Sequence, residues 1–309
     1  MRNKGTVTAR RLSRSLHKYW QFYFCLIPIV AYFIVFHYWP MYGVQIAFRD
    51  YNPIDGVFGS PFVGFKHFLR FFRSYQFQRV ITNTLGISLY QLAISFPAPI
   101  ILAILLSELR SGKFRKAMQM LTYAPHFLSV VVVVGMMTTM LSPSTGIVNH
   151  ALRALGLEGV FFFAEPLWFK TLYVFSGLWQ NCGWSSIIYI AAIAGIDPAL
   201  YEAAIVDGAS TFKRILHVTI PGIMPTIIIL LILQSGQIMS VGFEKVFLMQ
   251  NNLNMPASDV ISTYVYRAGL VNAQISFASA VGLFNSVINC ALLVIVNTFA
   301  RKNGETSLF

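Results

Sequence analysis

Two sets of side chains have the types and spacing to do chemistry. The first is charged: Glu202, Asp207, Lys213 and Arg214 fall within some twenty residues, flanked on both sides by long uncharged stretches. Glu202 is followed by Ala203 and Ala204, small residues that let another backbone approach closely. No carboxylate pair accompanies it, so the chemistry on offer is contact with a second macromolecule, not acid–base work. The second set is neutral: Gln180, Asn181 and Trp184, then Gln234 and Gln237, then Asn285 and Asn289, all inside apolar runs. Gln180 and Trp184 are four apart, Gln234 and Gln237 three apart, and Asn285 and Asn289 four apart, so each pair shares a helix face. Amides both donate and accept, which suits vicinal hydroxyls, and a flat aromatic lies well against the apolar face of a sugar ring. Gln180, Trp184, Gln237 and Asn285 are expected to face a polar path. Hydrogen bonding between packed helices accounts for each of them equally well.

The charged set needs elements to hold it. Asp197 before Pro198 is an N-cap followed by proline at the first helical position, and Gly208 supplies a left-handed stop, so 198–207 reads as a short helix. Ser210 caps a second short helix through about His217, with Phe212, Ile215 and Leu216 on one face and Lys213, Arg214 and His217 turned away. Pro221 closes the block. The pair is too short to be a domain and reads as a plug for a groove on another protein.

The neutral set needs a bilayer. Of 309 residues, 56% are hydrophobic and only 11% charged, which is far more apolar than a soluble domain. Six uncharged runs long enough to span are found at roughly 20–41, 81–107, 118–141, 172–196, 220–240 and 277–299, giving an all-α polytopic protein. Arg2, Lys4, Arg10, Arg11, Arg14 and Lys18 precede the first run, which has no small-residue cleavage site and is expected to stay in place. The basic N-terminal tail (1–19), the loop with Arg110, Lys113, Arg115 and Lys116, the 197–219 loop and the C-terminal tail (300–309) share one side. That side is expected to be cytoplasmic, which makes this a multi-pass protein of the cell membrane with both termini inside. The first external loop, 48–80, breaks the charge rule with Arg49, Lys66, Arg70, Arg73 and Arg79. Phe65, Phe68, Leu69, Phe72 and Tyr75 interleave with these bases, so the stretch reads as an interfacial helix against lipid with snorkelling cations. Pro97 and Pro99 are expected to kink or break the second span, and Pro125 to disturb the third less. Cys25, Cys182 and Cys290 are too scattered for disulfides or a metal and read as buried apolar residues.

The block Glu202-Ala203-Ala204, three residues, Gly208, nine residues, then Val218-Thr219-Ile220-Pro221 resembles the EAA motif of permease subunits in bacterial ATP-binding-cassette importers. Val218 and Ile220 stand where the family has Ile and Leu. The ordered strings Pro40–Gly43, Arg49–Asn52, Phe62–Gly64, Tyr123–Phe127, Gly242–Glu244 and Asp259–Arg267 are similar to permeases for oligosaccharides and polysaccharide fragments, relatives of the larger maltose-importer permease. The likeness runs from about Phe22 to Asn297. It implies the type I importer permease fold over 20–299 and docking of the 197–219 loop in a cleft of a cytoplasmic ATPase, with Glu202 and Gly208 in the coupling role. It also implies a second homologous permease, two ATPase subunits, an extracytoplasmic solute-binding protein and a saccharide cargo. ATP and Mg would belong to the ATPase chains, with no cofactor or metal on this one.

Other classes fit less well. A Walker A loop is absent: 59–64 has the glycine spacing, yet Phe65 stands where lysine must reach phosphate. An ion-coupled secondary transporter of a small polar solute predicts ionisable residues within the spans and often a repeat. A membrane enzyme needs a convergent catalytic set, and none appears. The high isoelectric point is spread over loops on both sides, so nucleic acid is not the partner. Asp259 and Arg267 in the last external loop are expected either to pair or to meet the solute-delivering protein.

Overall fold

The computed structural model describes residues 18–109, 112–302 and 307–308. The basic tail as far as residue 17, Arg110 and most of the C-terminal tail lie outside the described residues. Among those described there is no strand, only a bridge between Arg49 and Phe62. Eight helices carry the architecture: α1 Trp20–Phe48, α2 Gln76–Glu108, α3 Gly112–Phe127, α4 Val130–Met140, α5 Pro166–Ala194, α6 Pro198–Val206, α7 Thr211–Ser235 and α8 Ile275–Lys302. Four are long and apolar enough to cross a membrane, and six spans result if α3 with α4 and α5 with α6 each count as one bent span.

The described residues up to His67 and those from Phe68 onward form two compact units. In the first, α1 absorbs Pro40 through a π turn at Ile34–Tyr38, which relieves the clash between a proline ring and the carbonyl four residues back. The loop beyond is pinned by the Arg49 guanidinium, which donates to the Ser60 carbonyl at 2.8 Å, and by an ion pair of Lys66 with Asp50 at 2.7 Å.

In the second unit α5 is the pillar, burying Phe169, Tyr173, Val174, Gln180, Gly183, Ser186 and Tyr189 against its neighbours. One core joins Ile87 of α2, Val134 of α4 and Phe169 and Tyr173 of α5 to Val246 and Met249 of the Phe243–Met249 helix. A second gathers Phe71, Val80, Ile261, Phe277 and Val281, with rings packed edge to face around Phe71. Gly183 sets the closest approach: a Cβ there would lie 2.1 Å from the Thr122 carbonyl oxygen of α3.

Several expectations need correcting. The third span is two helices crossing at 97°, because Ser129 caps α4 through the Val132 N–H just after the Pro125 turn has ended α3. The prolines of α2 interrupt it only at Phe96: one helix ends at Ser95 and the next begins at Pro97, yet Phe96 keeps helical dihedrals and the two halves form one span. The second helix of the charged block is not separate. It runs through a π turn at Ile215–Thr219, which accommodates Pro221, straight into α7. Arg70 and Arg79 do not snorkel; Arg70 donates to Gln274 Oε1 at 2.9 Å and Arg79 pairs with Asp259 at 2.8 Å. Cys25 and Cys290 are exposed and not buried.

Asp259 and Arg267 do pair. The Asp259 carboxylate is fully buried and shared by Arg79 and Arg267, while Asn83 donates to the Pro256 and Asp259 carbonyls at 2.8 and 3.2 Å. This knot ties the start of α2 to the segment before α8. Removing the anion strands two partly buried guanidiniums, so Asp259→Ala is expected to lower stability by about 3–5 kcal/mol, read as loss of the folded peak in detergent. Gly183→Ala forces a methyl into backbone that has no rotamer to change; a loss of about 1–3 kcal/mol is expected, measured as a lowered thermal midpoint.

Candidate functional site

A cavity of about 650 Å³ lies between α2, α5 and α7, near the middle of α2 and α5. Gln91, Ser95, Phe96 and Pro99 line it from α2, Gly177, Asn181, Trp184 and Tyr189 from α5, and Gln234 with Gln237 from the end of α7 and the turn after it. The volume suits a small organic ligand. Its polar lining is neutral. Pro99 has no N–H to give to the Ser95 carbonyl four residues back, and the Ser95 hydroxyl is itself buried without a hydrogen-bond partner.

The seven amide and aromatic candidates divide. Asn181, Trp184, Gln234 and Gln237 line the cavity. Gln180 does not: it is buried, and its amide donates to the Leu128 carbonyl at 2.7 Å. Leu128 is where α3 ends, so Gln180 satisfies an acceptor freed by the break. Asn289 likewise accepts from the Met239 N–H at 2.9 Å and donates to the Ser240 hydroxyl at 2.8 Å, capping the turn after α7. Asn285 lies outside the cavity lining, and its buried carbonyl oxygen has no partner.

Trp184 is not a free ring. His126 stacks on it at 4.6 Å and 5°, and Phe127 meets it edge-on at 5.7 Å. The His126 Nδ1 lies 3.0 Å from Asn181 Oδ1, an acceptor, which puts the ring proton on Nδ1. The α3–α4 break delivers this histidine, which was not among the residues expected to line the path. Lys245 was also missed. Its Nζ donates to the Tyr173 carbonyl at 2.9 Å, lies 4.8 Å from that ring and fits against Gly177, at the cavity wall. Burial pulls its ammonium down to about 8. Ser95, Gln91 and Tyr189 were missed too, although the neighbouring prolines mark Ser95.

The charged block is as regular as its sequence. Asp197 accepts from the Ala199 N–H at 2.9 Å, and Gly208 has φ +72°. The Gly208 N–H reaches the Ile205 carbonyl and the Ala209 N–H the Ala204 carbonyl, a Schellman closure that only a residue at ease with positive φ permits. The Tyr201 hydroxyl lies 3.0 Å from Thr219 Oγ1, bracing α6 against the base of α7. Glu202 is exposed and forms none of the ion pairs seen among the described residues. Around it Val206 is 86% and Phe212 73% exposed, so the block presents an acid framed by bare apolar side chains. Ala203, Asp207 and Lys213 share that exposed surface, Ala204 and Arg214 are half-buried, and Pro221 lies inside α7.

Comparison with known proteins fits this geometry. A family model described as "Binding-protein-dependent transport system inner membrane component" matches residues 95–303. The polygalacturonan/rhamnogalacturonan transport system permease protein YteP of Bacillus subtilis (strain 168) is 42% identical over 287 residues, covering 93% of this chain and 89% of the relative. Among solved structures, a chain of a bacterial ABC transporter involved in the import of the acidic polysaccharide alginate superposes with a TM-score of 0.87 at 42% identity, over 94% of this chain and 99% of that one. A chain of the bacterial alginate transporter in complex with an alginate pentasaccharide-bound periplasmic protein superposes at 0.88, also at 42% identity, over 96% and 100%. A run of bent apolar helices around a neutral polar cavity, interrupted by a capped two-helix projection, thus has close structural counterparts, and the chain belongs to the binding-protein-dependent transport system inner membrane components, with the type I ABC importer permease fold.

Proposed function

We propose that this chain forms half of the translocation path of an ATP-driven importer for an oligosaccharide or polysaccharide fragment, and takes its drive from a separate ATPase at the 197–219 loop. The observation that carries the reading is a continuity: α5 and α7 both line the mid-depth cavity, and α6 with its Schellman turn is the link between them. A push on the Glu202 projection therefore acts on two cavity walls at once. In this reading alternating access follows from closure of the ATPases on ATP, which switches the path between inward-facing and outward-facing states.

The assembly includes a second homologous permease to complete the path, two ATPase subunits that hold ATP and Mg, and an extracytoplasmic binding protein that delivers the cargo. The 197–219 loop and both termini face the cytoplasm, as the basic residues around them favour. Glu202, Ala203, Ala204 and Gly208 form the contact with the ATPase, Asp207, Lys213 and Arg214 flank it, and Pro221 with its π turn holds the loop to α7. Saccharide cargo is supported by the cavity chemistry: Asn181, Gln234 and Gln237 address ring hydroxyls, and Trp184, held by His126, offers a face to a pyranose. Relatives named for polygalacturonan, rhamnogalacturonan and alginate transport point the same way.

Charge reversal at Glu202 tests the coupling. Glu202→Lys is expected to insert and fold normally but to retain roughly a tenth or less of the co-purifying ATPase; wild-type retention together with wild-type uptake would refute the assigned role. The path is tested by contrast. Trp184→Ala with Gln237→Ala is expected to raise the half-saturating saccharide concentration about tenfold in the protein that remains folded. Gln180→Ala, by stranding the Leu128 carbonyl, is expected to lower stability by about 1–3 kcal/mol and leave that concentration near wild type. The opposite pattern in saccharide-stimulated ATP hydrolysis would place the path elsewhere.

A further inference from the structure

A second cavity, about 850 Å³, opens at the end of α2 remote from the Glu202 loop. Arg70, Arg73, Arg79 and Arg267 line it together with Tyr75 and Tyr264, and no acid does. The carboxylate that meets these guanidiniums is Asp259, buried behind the wall and shared by Arg79 at 2.8 Å and Arg267. Four guanidiniums against one carboxylate leave three positive charges facing the opening.

The remaining contacts hold the groups in place without neutralising them. Arg70 donates to Gln274 Oε1 at 2.9 Å and lies 4.7 Å over the Phe277 ring, and Arg267 donates to Gln250 Oε1 at 3.2 Å. Both acceptors are neutral amides. Arg73 makes no ion pair among the described residues, and the buried Nε of Arg79 has no hydrogen-bond partner. Guanidinium carries its charge at every physiological pH and presents a planar fork that matches a carboxylate. Four such groups spread around one large opening, with two tyrosine rings among them, match a chain bearing a carboxylate on each of several rings better than one compact anion. Arg79 and Gln91 of the mid-depth cavity lie on the same helix, twelve residues or about 18 Å apart along its axis.

We propose that this cavity is an entry subsite for acidic oligosaccharides: Arg70, Arg73, Arg79 and Arg267 take the carboxylates of a uronate chain before the chain reaches the Gln91–Gln237 cavity. The inference rests on the saccharide-permease reading above and sharpens its cargo to a polyanion. Anionic lipid headgroups and an acidic surface of the delivery protein compete for the same charges, and the test separates them.

The assembled transporter, in nanodiscs of phosphatidylcholine alone and without binding protein, is titrated with tetragalacturonate and with its carboxyl-reduced, neutral counterpart. For Arg70→Gln/Arg73→Gln, tetragalacturonate affinity is expected to fall about tenfold while the neutral sugar is unaffected, and wild-type affinity should weaken as salt rises. Arg73→Lys keeps the charge and should recover most of the loss. Arg73→Gln alone alters an exposed, unpaired side chain and keeps the test alive if the double variant does not fold. Equal affinity in wild type and variant, an equal loss for both sugars, an effect seen only when phosphatidylglycerol is present, or one seen only with the binding protein would each overturn the proposal. Uptake in proteoliposomes separates the two levels. If the wild type carries neither sugar, the saccharide reading falls and takes this one with it; if wild type and variant carry tetragalacturonate equally, only the entry subsite falls.

Discussion

A bilayer interior offers no water to a backbone group released from its helix, so each interruption of a span has to be answered by a side chain or by a polar cavity. This constraint organises the second unit. Where α3 ends, the Leu128 carbonyl is met by Gln180. Where α7 ends, the Met239 N–H is met by Asn289. Where Pro99 withholds its N–H from Ser95, the Ser95 hydroxyl is itself buried without a partner, and that segment lines the mid-depth cavity. Amides of one chemical type thus have two fates. Those opposite a break are consumed by it, and those opposite the proline pair, Gln234 and Gln237, remain available. The cavity is polar because the helices around it are imperfect.

The loop that joins α5 to α7 follows the opposite rule, with every local signal satisfied. Asp197 caps α6, Gly208 closes it, and the π turn at Ile215–Thr219 lets Pro221 enter α7 without a break. Ile196 packs where a side chain on Gly222 would sit, and Tyr201 reaches Thr219, so α6 and the residue that leads into it each touch the base of α7. Both contacts tie the projection to α7, the linkage that the proposed lever would need.

Much of this was legible in the residues. The caps of α6, its glycine stop and the exposed face of Phe212 follow from rules that act over a few positions, and they recur in the structure nearly residue for residue. The long apolar runs were equally plain, because length and hydropathy alone set them. What the sequence could not separate was a spanning helix from a bent pair: Met118 to Leu141 is uncharged throughout, and the carbonyl that the bend releases at Leu128 is met by Gln180, more than fifty positions later. The same limit applied to the amides. Gln180 and Asn181 are adjacent and chemically alike, and only the position of the α3 terminus makes one a structural brace and the other a cavity wall. Arg79 and Asp259 show it for charges, since a pairing across 180 residues leaves no local trace, whereas the Asp259–Arg267 pair, eight residues apart, was among the expectations.

Exposed apolar surface has different meanings along this chain. Leu105 and Ile295 are 60% and 62% exposed on spanning helices, where lipid covers them at no cost. Val206 and Phe212 are more exposed still, yet they belong to a segment lying beyond a helix that already exceeds the membrane. α5 has 29 residues, about 43 Å at the helical rise, against a hydrocarbon core of about 30 Å. The projection that follows therefore stands where water would meet those side chains. At about 25 cal/mol per Å² of apolar surface, leaving several large residues bare costs a few kcal/mol, an amount a solvated loop of this regularity would not carry without return. In the reading proposed above, burial against a partner protein would recover it, and the contacts between the projection and α7 would carry that binding to the cavity wall.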